Sequence, residues 1–597
     1  MAFVSNEAIP PEVKKLIRGL ALKNAYEHGG KAVEGPVISA VLGEHPELKP
    51  LARELAKYVS QVVREVNSLS FEDQKKLLMS EFPELLEQKR GREEEKKRLP
   101  PLPQADQYRV IRTRFAPNPD FYIHLGNARP AILSYEYARM YGGVMILRFE
   151  DTDPRIKAPI PEAYRQIKED LKWLGVEWDE EYIQSLRMKL YYEVAEELLS
   201  RGAAYVDLCS QKAFREFRLR RVACPHRNVT PEKNLELFDK MRSGYFSEGE
   251  AVLRVKTDLN HPDFSVVDWV AFRIIDTGKH PHPIVGSKYV VWPTYNFAAG
   301  VDDHLMGVTH ILRGREHALN TVKQRYVYQH LGWVYPAVLN LGRLNLEGLI
   351  LSKSKIKELI SSRPGEFEGP SDIRFGTIAS LRNRGIEAQT VREIIIDVGI
   401  KQSDASISWD NIAALNRKLI DKNTKRLMAV FTPIELRISN YSGPTKAVLA
   451  NHPENSFLGS REILLDVSSG ELRVLIDRGD LEEVKKAGMF RLMELCNVRL
   501  VEIREDVLVS EYVGRDLKQA KEARIPIIQW VPARDNVKLE ILVPKDLDLR
   551  RVSGLSEPAL RELEPESKVQ LVRYGFVKIR KRALSKEDFV EAVFMHE

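Results

Sequence analysis

The feature that most constrains the fold is a strand–helix–strand pattern near residue 130. Residues 108–115 alternate in polarity like a strand, and residues 127–141 have helical spacing. Two glycines end that helix, and the near-continuous apolar run 144–149 predicts a buried strand. These lengths indicate a βαβ unit, which requires a parallel sheet with both faces covered. Such sheets bind ligands beyond the carboxyl ends of their strands, where Arg114 and Glu150 fall.

The sequence pattern changes several times along the rest of the chain. At roughly 150 residues per domain, 597 residues predict about four domains. A dense charge run at 87–98, followed by prolines, is typical of a solvated connector. Short apolar-faced helices precede this run, and short β-branched segments with charged turns after residue 426 favour β-barrels. We therefore expect a multidomain α/β protein.

Composition narrows the class of protein. Lys and Arg number 91 against 85 Asp and Glu, and the net charge of +6 permits a polyanionic partner without demanding one. Hydrophobic residues at 43% and charged residues at 29% describe a globular chain. Three cysteines exclude a disulfide scaffold and indicate a reducing compartment. With neither a secretory leader nor a run of ~18 apolar residues, we expect a cytoplasmic protein without a membrane partner.

The first segment that carries chemistry is His124-Leu125-Gly126-Asn127, at the start of the predicted helix. A helix N-terminus offers free amide groups and a positive dipole end to an anion. Gly126 allows a nucleotide close to the backbone, and His124 can donate to a phosphate oxygen. A capped helix with a surface histidine has the same pattern, so this segment alone leaves both readings open.

The second segment is Ile350-Leu351-Ser352-Lys353-Ser354-Lys355, which follows an apolar strand and the turn at 347–348. Two lysines and two serines on a short loop can hold a triphosphate and neutralise charge that develops during displacement. A solvated surface loop would look the same. The value of this segment lies in its pairing with the first one.

Together the two segments resemble the signature pair of class I aminoacyl-tRNA synthetases, which that family writes HIGH and KMSKS. The departures are Asn127 for the second histidine and Ile350 for the first lysine. Asn127 can still hydrogen-bond a ribose or a phosphate, whereas Ile350 cannot, so more of the phosphate binding would fall on Lys353, with Lys355 as the second candidate. The glutamyl and glutaminyl branch of the family tolerates both substitutions.

Three further segments, 147–155, 174–191 and 292–317, resemble those of glutamyl-tRNA synthetases. The β-rich C-terminal part is similar to the archaeal and eukaryotic type, and residues 1–100 resemble the helical extension of that type. The resemblance is strong over residues 105–425. It implies a Rossmann-like catalytic domain in two halves, an inserted acceptor-stem-binding domain, a helical stem-contact domain and a C-terminal β-barrel anticodon-binding domain, behind a helical N-terminal extension. We assign these parts to residues 1–100 (extension), 105–209 and 289–345 (catalytic halves), 210–288 (insertion), 346–425 (signature loop and helical domain) and 426–597 (barrels).

The resemblance also implies a two-step reaction. L-Glutamate would attack the α-phosphate of ATP to give glutamyl-adenylate and pyrophosphate. The 3′ end of tRNA(Glu) would then accept the glutamyl group, which releases AMP. Mg²⁺ would accompany the ATP phosphates, and no protein nucleophile is needed. His124 and Lys353 would act as the catalytic residues. The implied ATP contacts are Pro117, His124, Gly126, Asn127, Ser352, Lys353, Ser354 and Lys355.

Glutamate itself sets the demands on its pocket. With two carboxylates and one ammonium group, it needs at least two cations and one anion. By resemblance, Arg114 reads the γ-carboxylate, Arg313 supplies the second guanidinium and Glu150 takes the α-ammonium. Tyr295 and Asn118 complete the predicted glutamate set. Without the resemblance, Arg114 and Glu150 would be read as an ordinary ion pair at a sheet edge.

One weaker constellation spans the boundary between the first catalytic half and the predicted insertion. Asp207, Cys209, Cys224 and His226 echo a zinc arrangement found in some members of the family, and together they could complete a tetrahedron. Asp207 departs from the thiolate pattern, and two reduced cysteines beside a surface histidine remain the alternative. Cys496 has no such neighbours in the sequence and is predicted to lie in a core.

Other functions remain open at this stage. A glutaminyl enzyme shares the architecture, although a neutral amide gives little reason for two arginines. A non-catalytic tRNA-binding relative has only Asn127 and Ile350 in its favour, and a small-molecule nucleotidyltransferase would not need the barrels. The sequence does not decide whether tRNA(Gln) is also charged, nor the oligomeric state. We expect no DNA partner.

Overall fold

The computed structural model describes residues 9–27, 29–82, 99–585 and 588–597. It contains two compact units, Met1–Pro100 and Pro101–Glu597. The predicted charged connector at 87–98 lies outside the described residues. Within the described ranges, no helix is both long enough and apolar enough to cross a bilayer.

The first unit consists of helices packed around an apolar core of their own: α1 (Pro11–Glu27), α2 (Glu34–Glu44), α3 (Ala52–Asn67) and α4 (Phe71–Glu81). α1 starts at a proline, and Gly29 and Gly30 follow its end with positive φ. Val59 and Val63 lie on the buried face of α3. The amide of buried Gln74 donates to the carbonyls of Val66, at 2.8 Å, and of Gly30.

The second unit contains the predicted parallel sheet, in the strand order β3-β2-β1-β8-β9. Its strands are β1 (Arg112–Phe115), β2 (Val144–Phe149), β3 (Glu180–Ile183), β8 (His310–Gly314) and β9 (Ala337–Leu341). Its helices are α5 (Leu125–Met140), α6 (Pro161–Trp173), α7 (Met188–Ser200), α10 (Tyr295–Leu305) and α11 (Ala318–Leu331). The chain order reverses between β1 and β8, which places a ligand-binding crevice there.

An antiparallel sheet is inserted between β3 and β8, in the order β4-β5-β6-β7. Its strands are β4 (Ala204–Asp207), β5 (Val252–Val255), β6 (Val270–Ile274) and β7 (Val291–Pro293), with helices α8 (Gln211–Leu219) and α9 (Pro231–Arg242). β4 and β7 lie just outside the predicted insertion at 210–288. Short buried strands look alike in either kind of sheet, so the sequence did not reveal which sheet they join.

The helical region follows β9. The short parallel pair β10 (Leu344–Leu346) and β11 (Ala405–Ile407) encloses its first three helices, and the fourth follows β11. Its helices are α12 (Lys353–Ser362), α13 (Ile378–Asn383), α14 (Ala388–Val398) and α15 (Trp409–Ile420).

Two β-barrel-like sheets make up the rest of the chain, as predicted. One has seven strands: β12 (Lys425–Leu427), β13 (Ala429–Val430), β24 (Val537–Lys545), β25 (Asp548–Ser556), β26 (Lys568–Leu571), β27 (Gly575–Lys581) and β28 (Phe589–His596). Its edge strands are β12 and β13, which only Met428 separates, so the sheet curls until its edges almost meet. Met428 is fully buried.

The other sheet contains β14 (Pro433–Ser439), β17 (Asp466–Ser468), β18 (Glu471–Asp477), β19 (Met489–Leu492), β20 (Asn497–Ile503), β21 (Val507–Gly514), β22 (Ile527–Ile528) and β23 (Val531–Pro532). A ribbon of β15 (Lys446–Ala450) and β16 (Ser460–Leu464) and the short helices α16 (Leu481–Ala487) and α17 (Leu517–Glu522) accompany it. Cys496 is buried in its core, as predicted.

Candidate active site

A cleft of about 910 Å³ opens beyond the carboxyl ends of the parallel strands. Most of the predicted site residues line it, from both signature segments and from the ends of β1, β2 and β8: Arg114, Pro117, Asn118, His124, Gly126, Asn127, Glu150, Tyr295, Arg313, Ser352 and Lys353. Ser354 and Lys355 are exposed on the first turn of α12, outside that lining. The second signature is therefore not the predicted loop, because α12 begins at Lys353 with Ser352 as its N-cap.

The first signature is built as a helix cap. Nδ1 of His124 accepts a hydrogen bond from the Gly126 amide at 3.0 Å, and Asn127 Oδ1 accepts from the His124 amide at 3.2 Å. Burial, helped by the positive charge of Lys353, lowers the pKa of His124 to about 4. The ring is thus neutral, and because Nδ1 accepts, its proton sits on Nε2. A Cβ on residue 126 would come within 2.9 Å of the imidazole, so any other residue would displace the His124 ring.

Gly376 joins the two signature segments. Its carbonyl accepts from the Leu125 amide at 3.2 Å, and its amide donates to the Ile350 carbonyl at 3.0 Å. A Cβ on Gly376 would collide with Leu351, so the close approach needs glycine. The side chain of Ile350 packs against a buried cluster that includes Phe375. Both departures from the family signatures therefore have structural roles here: Asn127 caps a helix, and Ile350 packs.

Lys353 contacts the loop that follows β1. Its Nζ lies 3.2 Å from Oδ1 of Asp120, and Lys357 approaches the other carboxylate oxygen at 3.6 Å. Burial lowers the pKa of Lys353, which Asp120 partly offsets. A lysine held at a helix N-terminus beside the cleft can exchange its carboxylate partner for a phosphate oxygen.

The other end of the cleft contains a chain of alternating charges. Oδ1 of Asp303 accepts from Nε of Arg114 at 3.1 Å and from Nη1 of Arg148 at 2.8 Å. Nη2 of Arg148 reaches Oε1 of Glu150 at 2.9 Å. All four groups are buried. Arg114 and Glu150 are thus not the direct ion pair of the simpler reading, since Asp303 and Arg148 stand between them.

The pKa values of the two carboxylates in this chain of charges follow from their burial and from the neighbouring guanidinium groups. Burial alone would raise the pKa of Asp303, but the Arg114 and Arg148 guanidinium groups outweigh it and hold that pKa below its ordinary value. Burial raises the pKa of Glu150 even though Arg148 and Arg114 oppose the shift. A further cation in the cleft would therefore stabilise the ionised form of Glu150.

Arg313, at the end of β8, is buried among neutral partners. Its guanidinium donates to Oγ1 of Thr321 at 2.6 Å, to Oε1 of Gln324 at 3.2 Å and to the Tyr335 hydroxyl at 3.3 Å. Among the described residues, nothing accepts a hydrogen bond from its Nε, and buried Oδ1 of Asn118 has no donor either. The Asp303 charge acts on Arg313 from nearby, but every described side chain that accepts a hydrogen bond from it is neutral. Such a desolvated cation is suited to an anionic ligand.

Comparison with known proteins agrees with this geometry. Residues 110–422 match the family model described as tRNA synthetases class I (E and Q), catalytic domain. Residues 424–515 and 527–580 match two models for the anti-codon binding domain of the same family. The chain belongs to this family. The predicted class I glutamyl/glutaminyl branch, with its catalytic and C-terminal anticodon-binding domains, is thereby confirmed.

Curated relatives match this synthetase over nearly its whole length. The glutamate–tRNA ligase of Hyperthermus butylicus is 51% identical over 561 residues, covering 93% of this chain and 96% of the relative. That of Aeropyrum pernix is 51% identical over 569 residues, covering 95% and 97%. That of Ignicoccus hospitalis is 50% identical over 588 residues, covering 98% and 100%. The names of these relatives do not favour the glutaminyl and non-catalytic alternatives.

The insertion of the synthetase brings the four predicted metal ligands together. The donor atoms of Asp207, Cys209, Cys224 and His226 all lie within 4.8 Å of one another. Nδ1 of His226 is 3.2 Å from Oδ1 of Asp207 and 3.3 Å from Sγ of Cys209. Tetrahedral zinc, with bonds of about 2.0–2.3 Å, separates its ligands by roughly 3.3–3.8 Å. The donor types suit this ion, and the most widely spaced donors would have to approach one another by up to about 1 Å to bind it. Nε of Arg254 holds the other Asp207 oxygen at 2.6 Å.

Sequence reasoning assigned no role to several residues of the site. Asp120 pairs with Lys353, and Asp303 pairs with Arg114. No local sequence pattern marks either aspartate. The sequence could have indicated a role for Arg148, because a charged residue inside an apolar strand has to be paired when the sheet buries it. His317 also lines the cleft, where burial and then Arg313 lower its pKa to about 4.

Proposed function

We propose that this synthetase activates L-glutamate with ATP to form glutamyl-adenylate, and transfers the glutamyl group to the 3′ end of tRNA(Glu). The relatives named glutamate–tRNA ligase support this activity. The observation that carries it is Arg313, a buried guanidinium in the cleft with neutral partners and an unpartnered Nε. A neutral glutamine amide gives little reason for this second desolvated cation beside Arg114.

In the proposed complex, Arg114 reads the γ-carboxylate and Arg313 supplies the second guanidinium, while Glu150 takes the α-ammonium. Tyr295 and Asn118 add polar contacts. Burial raises the pKa of Tyr295 to about 12, with the Glu150 charge adding to the shift, so its hydroxyl stays a donor at neutral pH. Asp303 and Arg148 keep the charged groups in place without touching the substrate.

ATP would occupy the end of the cleft between the two signatures. Neutral His124 donates from Nε2 to a phosphate oxygen, and Lys353 leaves Asp120 to neutralise the charge that develops on the α-phosphate. Pro117, Gly126 and Asn127 line the ATP path from α5, and Ser352 lines it from α12. Ser354 and Lys355 would reach ATP only after α12 moves. Mg²⁺ bound to the phosphates would supply additional positive charge.

The test is ATP–pyrophosphate exchange in the presence of purified tRNA(Glu), with glutamate and glutamine as separate substrates. Exchange that depends on glutamate is the expected result. Exchange with glutamine instead would make the protein a glutaminyl enzyme. Exchange with neither, by a protein that still binds tRNA, would make it a non-catalytic relative.

A second tRNA substrate is part of the proposal. The archaeal-type resemblance makes tRNA(Gln) a second acceptor for glutamate, since that lineage generally forms glutaminyl-tRNA through a misacylated intermediate. Charging assays on the two purified tRNAs decide this point. A kcat/KM for tRNA(Gln) more than about a thousandfold below that for tRNA(Glu) would restrict the enzyme to tRNA(Glu).

The cluster in the insertion is proposed to hold one zinc ion in a structural role, with its two cysteines as thiolates. Metal analysis of protein never exposed to a chelator should find one equivalent, and Cys209→Ser should lose it. Cys496→Ser, a change at a cysteine buried in the barrel core, is the matched control. Less than roughly a tenth of an equivalent in the unmodified protein would refute zinc binding.

A further inference from the structure

The segment 150–155, between β2 and α6, forms part of the cleft wall through Glu150, Thr152 and Asp153. The catalytic domain holds this segment at Asp151, which is fully buried. The Asp151 carboxylate accepts from the Tyr164 hydroxyl at 2.7 Å and from the amide and hydroxyl of Ser185 at 2.8 and 2.7 Å. One side of the segment is thereby fixed.

The insertion holds the same segment from the other side. Nε2 of His282 lies 3.0 Å from the Asp151 carbonyl oxygen and 3.3 Å from its carboxylate. Arg273 of β6 pairs with Asp153 at 2.7 Å. A further ion pair joins Arg155 to Glu248. The residues next to Glu150 are therefore held by a domain that lies far away in the sequence.

His282 is well placed to fix this contact. Its Nδ1 accepts from the amides of Ile284 at 3.1 Å and Val285 at 3.4 Å, so its proton sits on Nε2, which faces Asp151. The ring is buried and stacks on Trp292 at 5.4 Å. The backbones of His282 and Gly286 pair with each other and close the turn. Ring, tautomer and loop are all held in one arrangement.

We propose that His282 is a positioning residue of the glutamate site: through Asp151, it fixes the carboxylate of Glu150 where the substrate ammonium binds. The inference rests on the proposed function, which assigns the ammonium to Glu150. In this role, His282 contacts neither substrate. It makes the amino-acid pocket depend on the docked position of the insertion, which packs beside the cleft.

The test uses two substitutions that keep different halves of the imidazole. His282→Asn retains an acceptor near Nδ1 for the turn amides but removes the donor to Asp151. His282→Gln retains a donor near Nε2. Losing a hydrogen bond to a buried charged group corresponds to about a tenfold effect, so His282→Asn should raise the KM for glutamate about tenfold in exchange assays with tRNA. The KM for ATP should change less than about twofold, and His282→Gln should restore the glutamate KM.

Two further variants separate the possible outcomes. His330→Asn removes another histidine that bonds the insertion, through the Lys256 carbonyl, and should leave both KM values unchanged. Glu150→Gln should raise the glutamate KM at least as much as His282→Asn. An effect of Glu150→Gln without one of His282→Asn overturns the positioning role alone. No effect of Glu150→Gln overturns the ammonium assignment and this inference with it. Equal changes in both KM values, in both His282 variants, would mean a purely structural role.

Discussion

The two ends of the cleft are held in different ways. At the end that is proposed to bind the ATP phosphates, here called the phosphate end, the key groups belong to helix N-termini, where side chains accept hydrogen bonds from backbone amides. His124 is neutral there, and within the part of the chain that the structure describes Lys353 pairs with one partly exposed carboxylate, Asp120. At the end that is proposed to bind glutamate, here called the amino-acid end, Arg114 and Glu150 belong to a buried chain of four charges.

Because of this difference, substitutions at the two ends should affect different properties of the enzyme. A lysine with one accessible partner can be released to a phosphate at small cost, so its loss should reduce rate and leave the fold intact. A charge inside a desolvated chain also supports its neighbours, so its loss should reduce affinity and stability together. Substitutions at matched positions test this contrast.

The largest effect is expected for Arg114→Gln. Removing one partner of a buried charge pair costs about 3–5 kcal/mol, so kcat/KM for glutamate should fall on the order of 10²–10³. The midpoint of thermal unfolding should also fall, because Asp303 loses a partner. Use of glutamine, which has no side-chain charge, should fall far less.

Arg112→Gln is the control for that variant. Arg112 lies on the same strand and pairs with Glu180 at 2.8 Å, with both groups partly exposed. It should change activity and stability little. Equal losses of glutamate and glutamine use in Arg114→Gln would show that Arg114 contacts a group common to both, and Arg313 would then become the side-chain reader.

Lys353→Ala should reduce the single-turnover rate of adenylate formation by about 10²–10³, the usual effect of one charged contact in the transition state. Glutamate affinity and the unfolding midpoint should stay nearly unchanged. Lys357→Ala is the matched control, since Lys357 approaches the same carboxylate from an exposed position. A fall of less than about fivefold in Lys353→Ala would move the catalytic role to Lys355.

The smallest effect is a dependence of stability on pH. His124 has a pKa of about 4 in the folded protein and an ordinary value near 6.5 when unfolded, so the unfolded chain binds more protons between these values. Stability is therefore lost as the pH falls below 6.5. Relative to His124→Asn, which keeps a helix-capping side chain, the wild type should lose roughly 1 kcal/mol between pH 6.5 and 5.5. Urea unfolding at both pH values measures the difference, and parallel curves would contradict it.

The phosphate end could be predicted from the sequence because its determinants are local. A strand, a proline-rich loop and a helix start place His124 and Gly126 within one short stretch, and Ser352 and Lys353 form a second. The sequence did not predict that Lys353 begins a helix, since two lysines and two serines favour a surface loop equally. Asp120 was missed because its role depends on a residue that lies far along the chain.

The amino-acid end depends on contacts between distant segments. Arg148 and Asp303 meet only because β2 and α10 end beside β1. Hydrophobic periodicity predicts which residues are buried, but it does not predict which residues they contact. The same reason explains the missed extent of the insertion, whose outer strands resemble strands of the catalytic sheet. The barrels were predicted from short β-branched segments with charged turns. The closure of the seven-stranded sheet at Met428 depends on strand pairing, which that pattern does not specify.

The placement of the insertion has a consequence for folding. The strands β4 to β7 pair in the order in which they occur in the chain, so they can form early from local contacts. By contrast, β1 pairs with β8 across the whole insertion, with Thr113 opposite His310. A folded insertion shortens the flexible loop that this pairing must close, which lowers its entropic cost. Pulse-labelled hydrogen exchange during refolding should therefore find β5 and β6 protected before β1 and β8.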